Sequence, residues 1–165
     1  MKEQYELEKQ ILTKISSQYE GIYQIDVLKH QVVCIHSGRN LQDAGSVCTL
    51  EEWLQILLER CFAEDKDMFL QIFAITALQG MVSQEKETED LSQDLRFRTH
   101  SKYCWINTAL MPDAAHGQIT VTFRDVTHRY EYDEIIRRKN MELKRMLQTA
   151  EQYREALLIE SVVLY

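Results

Sequence analysis

The side chains able to do chemistry are few and scattered. Four cysteines (Cys34, Cys48, Cys61 and Cys104) stand far apart with no C-x-x-C pair. Five histidines (His30, His36, His100, His116 and His128) fall in expected strands, turns or the approach to the last helix. Neither set has the clustered spacing that holds a metal ion, so none is expected. Cys34, Cys61 and Cys104 sit among apolar neighbours and read as small core residues of a reduced, cytoplasmic protein. No nucleophile stands beside a base, and the acids gather at helix starts and turns, where solvation accounts for them. A small α+β enzyme is the alternative this argues against. What remains is short-range hydrogen-bond chemistry. In Gln118 to Thr127 (QITVTFRDVT), Asp125 and Thr127 supply the oxygen-bearing side chains that cap a helix N-terminus, directly before a long charged helix.

The elements around that junction follow from periodicity. Residues 3–19 read as a helix with Leu7, Ile11, Ile15 and Tyr19 on one stripe. Such a helix is too short to persist alone in water and must pack on something. Gly21 to Val27 and Gln31 to His36 read as two strands about a turn at Leu28-Lys29-His30, with Tyr23, Ile25 and Val27 on one face and Val32 with Cys34 on another. Ser37 to Gly45 has loop composition. Thr49 and Glu52 form a capping box before a helix lined by Leu54, Leu57, Leu58 and Cys61. A further helix opens at Ala63 to Asp67, carries Phe69, Ile72, Phe73 and Leu78, and closes at Gly80. Leu91 to Phe97, Tyr103 to Met111 and Gln118 to Phe123 then form a three-stranded meander. The order predicts an α+β fold, a five-stranded antiparallel sheet with helices over one face, in which the first two strands pair with the last.

Bulk properties exclude several functions. A chain of 165 residues holds one compact domain with helical extensions, and its 45% hydrophobic content suffices for a core. The net charge of -7 argues against nucleic acid as a partner. No apolar run approaches membrane-spanning length, so no membrane insertion is expected.

Three segments, in their order and spacing, resemble the PAS domain family. Gly21 to Asp26 (GIYQID) is similar to the family's opening strand. Ala63 to Phe69 (AEDKDMF) is similar to its H-P-E-D-R-x-x-F helix start, with Phe62-Ala63 in place of His-Pro. Tyr103-Cys104-Trp105-Ile106 and Arg124-Asp125-Val126-Thr127 resemble its aromatic strand and closing D-[IV]-T motif, so the match covers residues 21–127. The resemblance implies a sensory and dimerisation module, tied to an effector outside this chain of the histidine kinase or diguanylate cyclase type. Asp125 and Thr127 would then couple the sheet to the final helix. It implies neither haem nor flavin here. No histidine lies between Thr49 and Gly80, where the family's haem ligand would sit, and Gly38-Arg39-Asn40-Leu41-Gln42 echoes the flavin segment without its cysteine.

The expected layout is a capping and dimerisation helix at 1–20, the sensor domain at 21–127 and a signalling helix at 128–160. An unidentified small molecule would sit between sheet and helices, with Asn107 as its polar contact and Tyr23, Cys34 and Trp105 as walls; the alternative is a plain core filled by Phe69, Phe73 and Trp105, and with it a ligand-free dimerisation scaffold. From Tyr132 the positions Ile136, Lys139, Leu143, Met146, Ala150, Tyr153 and Leu157 alternate four and three apart, the seam of a parallel coiled coil. Leu7, Ile11, Ile15, Ile136, Leu143 and Leu157 are the expected homodimer interface. Asp133 with Arg137 and Glu134 with Arg138 are expected ion pairs on its outside. Residues 155–165 echo residues 15–23, with Ser161 at a turn and Val162 to Tyr165 opening a strand, so a similar domain is expected to follow in a longer parent.

Overall fold

A computed structural model of the chain describes residues 1–38, 45–83, 89–99 and 101–163. Among these, the elements are α1 (Lys2–Ser16), β1 (Gly21–Asp26), β2 (Gln31–Ser37), β3 (Val47–Thr49), α2 (Leu50–Arg60), a 3-10 turn (Ala63–Asp65), α3 (Lys66–Phe73), α4 (Ile75–Met81), β4 (Leu91–Thr99), β5 (Lys102–Asp113), β6 (Gln118–Asp125) and α5 (Thr127–Val163). The strands form one antiparallel sheet in the order β3-β2-β1-β6-β5-β4. The first strand lies against the last as expected, with Tyr23 opposite Val121, but the second, expected to pair with the last as well, pairs with β1 and β3 instead.

The sheet has six described strands, not five. Val47–Thr49 pairs with Gln31 to Val33, yet three residues show no alternation to read. Thr49 ends that strand and also caps α2, its hydroxyl accepting the Glu52 N–H at 3.2 Å, as the capping box requires. The face α2 buries is Leu50, Trp53 and Leu57; Leu54 and Leu58, expected on it, lie at its margin. The expected helix through Leu78 breaks at Ala74, whose ψ of 136° is extended. Neither glycine nor proline marks that break.

Packing follows the alternation of the strands. Tyr23, Ile25, Val32, Cys34, Leu95, Phe97, Ile106, Leu110, Ile119, Val121 and Phe123 are buried beneath α2, α3 and α4. Rings carry the centre of this layer. Trp53 stands 5.2 Å from Tyr23 and 5.8 Å from Phe73, and Phe69 lies 4.8 Å from Phe73, within the range of favourable ring contacts. A β-carbon on Gly21 would fall 2.7 Å from the Tyr23 ring, so glycine is what lets that ring lie back along its own strand.

Met1–Thr127 and His128–Tyr165 are separate compact units. In the first, α1 buries no residue: Leu7, Ile11 and Ile15 remain 57, 48 and 51% exposed. In the second, Ile136, Leu143 and Leu157 are likewise exposed. Arg137 pairs with Glu134 at 2.7 Å and not with Asp133, because three-residue spacing also brings helical side chains together; Glu134 receives Arg138 as well, at 3.4 Å. Both guanidinium groups hold the Glu134 carboxyl below its ordinary pKa, the hydrogen bond from Arg137 most of all. The helix continues through Ser161 to Val163 where a turn and a strand opening were expected. No helix among the described residues is long and apolar enough to cross a membrane.

Candidate functional site

Strand β6 ends at Asp125 and α5 begins at Thr127, leaving one residue between sheet and helix. A helix starts with N–H groups that lack intrahelical partners. Asp125 answers one of them: its Oδ1 accepts the Thr127 N–H at 2.9 Å and also the Thr127 hydroxyl. The same hydroxyl accepts the backbone N–H of Trp105 at 3.0 Å, and the Trp105 carbonyl accepts the Val126 N–H at 2.8 Å. Thr127 is thus tied at once to the strand before it and to the neighbouring strand β5. Val126 is buried beside them.

The Trp105 side chain faces away from the helices. Arg96 lies directly opposite it on β4, with the guanidinium carbon 4.8 Å from the Trp105 ring and 4.0 Å from the Phe62 ring. Arg96 Nε and Nη2 donate to the two oxygens of Asp65 at 2.9 and 2.8 Å, the bidentate form of the pair. These hydrogen bonds hold the Asp65 carboxyl below its usual range and raise the guanidinium further. The Cys61 thiol, nearby, is pushed up to about 11 by burial first and by the Asp65 carboxylate second, so it stays a thiol at neutral pH. The sequence pattern gives Arg96 no role, and marks Phe62 only as standing in place of the motif's histidine. Asp65 stands 31 residues before its partner, and no local spacing signals such a pair.

The four residues expected to line one cavity lie on two faces. Tyr23 and Cys34 are register partners on the helix-facing side and are fully buried. Asn107 and Trp105 belong to the other side. The Asn107 amide donates to Ser92 Oγ and Asp94 Oδ1, both at 2.8 Å. On β5 the inward positions are Cys104, Ile106, Thr108 and Leu110, so strand alternation itself excludes 105 and 107. The indole over Tyr23 belongs to Trp53, not Trp105. The polar atoms facing the core are instead the Tyr23 hydroxyl, beside the Cys34 thiol, and Thr108 Oγ1, which is buried without a hydrogen-bond partner among the described residues. Burial, with the Cys34 thiol adding to it, raises the Tyr23 hydroxyl above the ordinary tyrosine range.

Residues 39–42 of the segment likened to a flavin site lie outside the described residues, as does His100. Cys34, Cys61 and Cys104 are buried in the core. Among the described residues no three histidine, cysteine or acidic side chains gather as a metal site.

Neither a family model nor a curated protein matches the sequence. Among solved structures, an RNA-binding light-oxygen-voltage receptor aligns with 82% of this chain at 14% identity and a TM-score of 0.46. This chain spans 34% of the length of that receptor chain. The PAS domain of BvgS from Bordetella pertussis aligns over 87% of this chain and 98% of its own, at 16% identity and a TM-score of 0.35. The chain's own sheet decides the architecture: the first strand, β1, lies between its hairpin partner β2 and the final strand of the meander, β6. The fold is PAS-like. Within it, the aromatic-strand and D-[IV]-T segments meet, since Thr127 is bonded to the backbone of Trp105.

Proposed function

We propose that this chain is a PAS-type sensory and dimerisation module that passes a change in its sheet to the helix beginning at Thr127. One observation carries the reading: a single hydroxyl, that of Thr127, joins β5, the end of β6 and the first turn of α5. A shift between the last two strands must then either break that hydrogen bond or move the first helical residue. Asp125 and Thr127 are the coupling residues of this proposal. The output belongs to an effector of the histidine kinase or diguanylate cyclase type in the same polypeptide, and the chain itself is not an enzyme.

The input is a small molecule or a partner acting on the helix-facing side, with the hydroxyls of Tyr23 and Thr108 as the polar contacts of any ligand. Association into a homodimer through Leu7, Ile11 and Ile15 and through Ile136, Leu143 and Leu157 is part of the proposal. Its basis is that these side chains stay exposed at regular helical spacing. Association confined to the helices, with an unliganded core, is the scaffold alternative.

The test is hydrogen exchange on Asp125→Ala in the full chain. Protection should fall in residues 128–140 and hold in β1 and β2. Unchanged protection in 128–140 would sink the coupling role. Native mass spectrometry of freshly purified protein gives subunit number and any bound mass together; a ligand-free monomer would remove both the sensory and the dimerisation parts.

A further inference from the structure

Across the sheet, at the level of Trp105, the backbone hydrogen bonds divide in an informative way. Arg96 and Trp105 are directly opposed, yet neither uses its backbone on the other. The Arg96 N–H goes to Asp65 Oδ2 at 2.8 Å, and the Arg96 carbonyl accepts the Phe62 N–H at 2.8 Å. On the far side, the Trp105 N–H and carbonyl go to Thr127 Oγ1 and to the Val126 N–H. Arg96 and Trp105 are therefore a non-hydrogen-bonded antiparallel pair, the kind in which facing side chains come closest. That close approach is filled by the guanidinium on the indole.

We propose that Arg96 is a positioning residue, the middle of a transverse strut that links the Phe62–Asp65 segment of the helical block to the start of α5 through Trp105. This rests on the coupling role given above to Asp125 and Thr127, and adds the route by which the helical block reaches them. Each step is a direct contact. Asp65 grips Arg96 by backbone and side chain together, so a displacement of the 3-10 turn drags the guanidinium plane. That plane is held between the Phe62 and Trp105 rings. Trp105 in turn carries both backbone hydrogen bonds of the junction on its other edge. Asp94 and Asn107, two register positions along on the same face, bond each other across β4 and β5 and keep the two strands from separating independently. A change that moves the helical block relative to the core thus has a rigid path to Thr127 that bypasses the apolar layer.

The experiment is amide hydrogen exchange on the full chain with Arg96→Met, Arg96→Lys and Thr127→Val. Arg96→Met keeps the stem and removes the fork. It should raise exchange at least about tenfold at Trp105, Val126 and residues 128–135, while Tyr23 to Asp26 and Val32 to Cys34 keep their protection. Arg96→Lys separates positioning from a merely structural role. Its ammonium restores the ion pair with Asp65 and hence overall stability to denaturant, but has no planar face for the indole. Junction protection should stay lost in Arg96→Lys even where stability returns.

The strut is overturned if exchange rises uniformly over the sheet, if the rise is confined to residues 62–66, or if Arg96→Lys restores the junction together with stability. Thr127→Val guards the underlying reading. Should it expose residues 128–135 while both Arg96 variants leave them protected, the strut falls and the junction stands. Should it leave them protected, the junction itself fails.

Discussion

On the helix-facing side of the sheet Tyr23, Leu110 and Phe123 lie in a continuous apolar layer, whereas the opposite side carries Gln24, Arg96 and Asn107 in directed contacts. The first layer is held by burial, which falls off smoothly with displacement and favours no single direction. The second is held by hydrogen bonds and a stacked cation, which lose their strength within a few tenths of an ångström or some tens of degrees. A sheet built this way keeps its stability on one face and its geometric precision on the other. The junction at Thr127 is wired to the precise face, through the backbone of Trp105.

Substitutions can be ordered to break that contrast. The largest loss is expected from Leu110→Ala, since Leu110 is wholly buried and its removal leaves a cavity costing about 2–5 kcal/mol. Denaturant unfolding should show it as a lower midpoint with the whole sheet affected. A loss under about 1 kcal/mol would mean that the core yields to fill the space.

Asp65→Asn comes next, at about 1–3 kcal/mol for the charged hydrogen bonds to Arg96. It also has a pH signature. The Asp65 carboxyl is held below its ordinary value of 3.8 by those bonds, so its contribution is complete above that value and is lost as pH falls through the lower folded value. Stability measured from about pH 5 down to about pH 2 should therefore fall less steeply in Asp65→Asn than in the parent. Identical acid limbs would place the acid sensitivity elsewhere.

Thr127→Val is expected to cost about 1 kcal/mol or less globally, comparable to loss of a helix cap. Its mark is local: faster exchange at the start of α5 with an almost unmoved unfolding midpoint. The smallest change belongs to Thr108→Val. The hydroxyl there is fully buried and unpartnered among the described residues, so replacing it by a methyl group should leave stability unchanged or raise it by up to about 1 kcal/mol. A clear loss would show that the hydroxyl has a partner in solution.

Much of this architecture was legible because strands and caps announce themselves locally. The alternation in Gln118 to Phe123, the Thr49–Glu52 box and the Asp125–Thr127 pair all involve residues a few positions apart, and each element stands where its pattern placed it. What escaped was of two kinds. The break at Ala74 and the short strand Val47–Thr49 are imposed by packing and pairing, on residues whose own preferences do not distinguish them. The second kind is facial. Asn107 and Trp105 were set beside Tyr23 because they are polar or aromatic residues in an apolar strand. Yet Leu110 and Ile106 fix the parity of β5, and position 107 then has to point outwards. Counting parity from Leu110 would have moved the polar candidate to Thr108 and drawn attention to Trp53. Arg96 lay beyond any such count, because its partners come from the helical block and from a second strand.

The grip on Arg96 has one more effect. A strand at the rim of a sheet offers unpaired N–H and C=O groups to any passing chain, which is how sheets grow into aggregates. At Arg96 both groups that point outwards are already taken, one by a carboxylate and one by the Phe62 amide. No foreign strand can lie flat along β4 without first prising off residues 62–65. The opposite rim, β3, is three residues long and offers little length to pair with. Sheet-to-sheet growth is interrupted at Arg96 on one border and starved at the other.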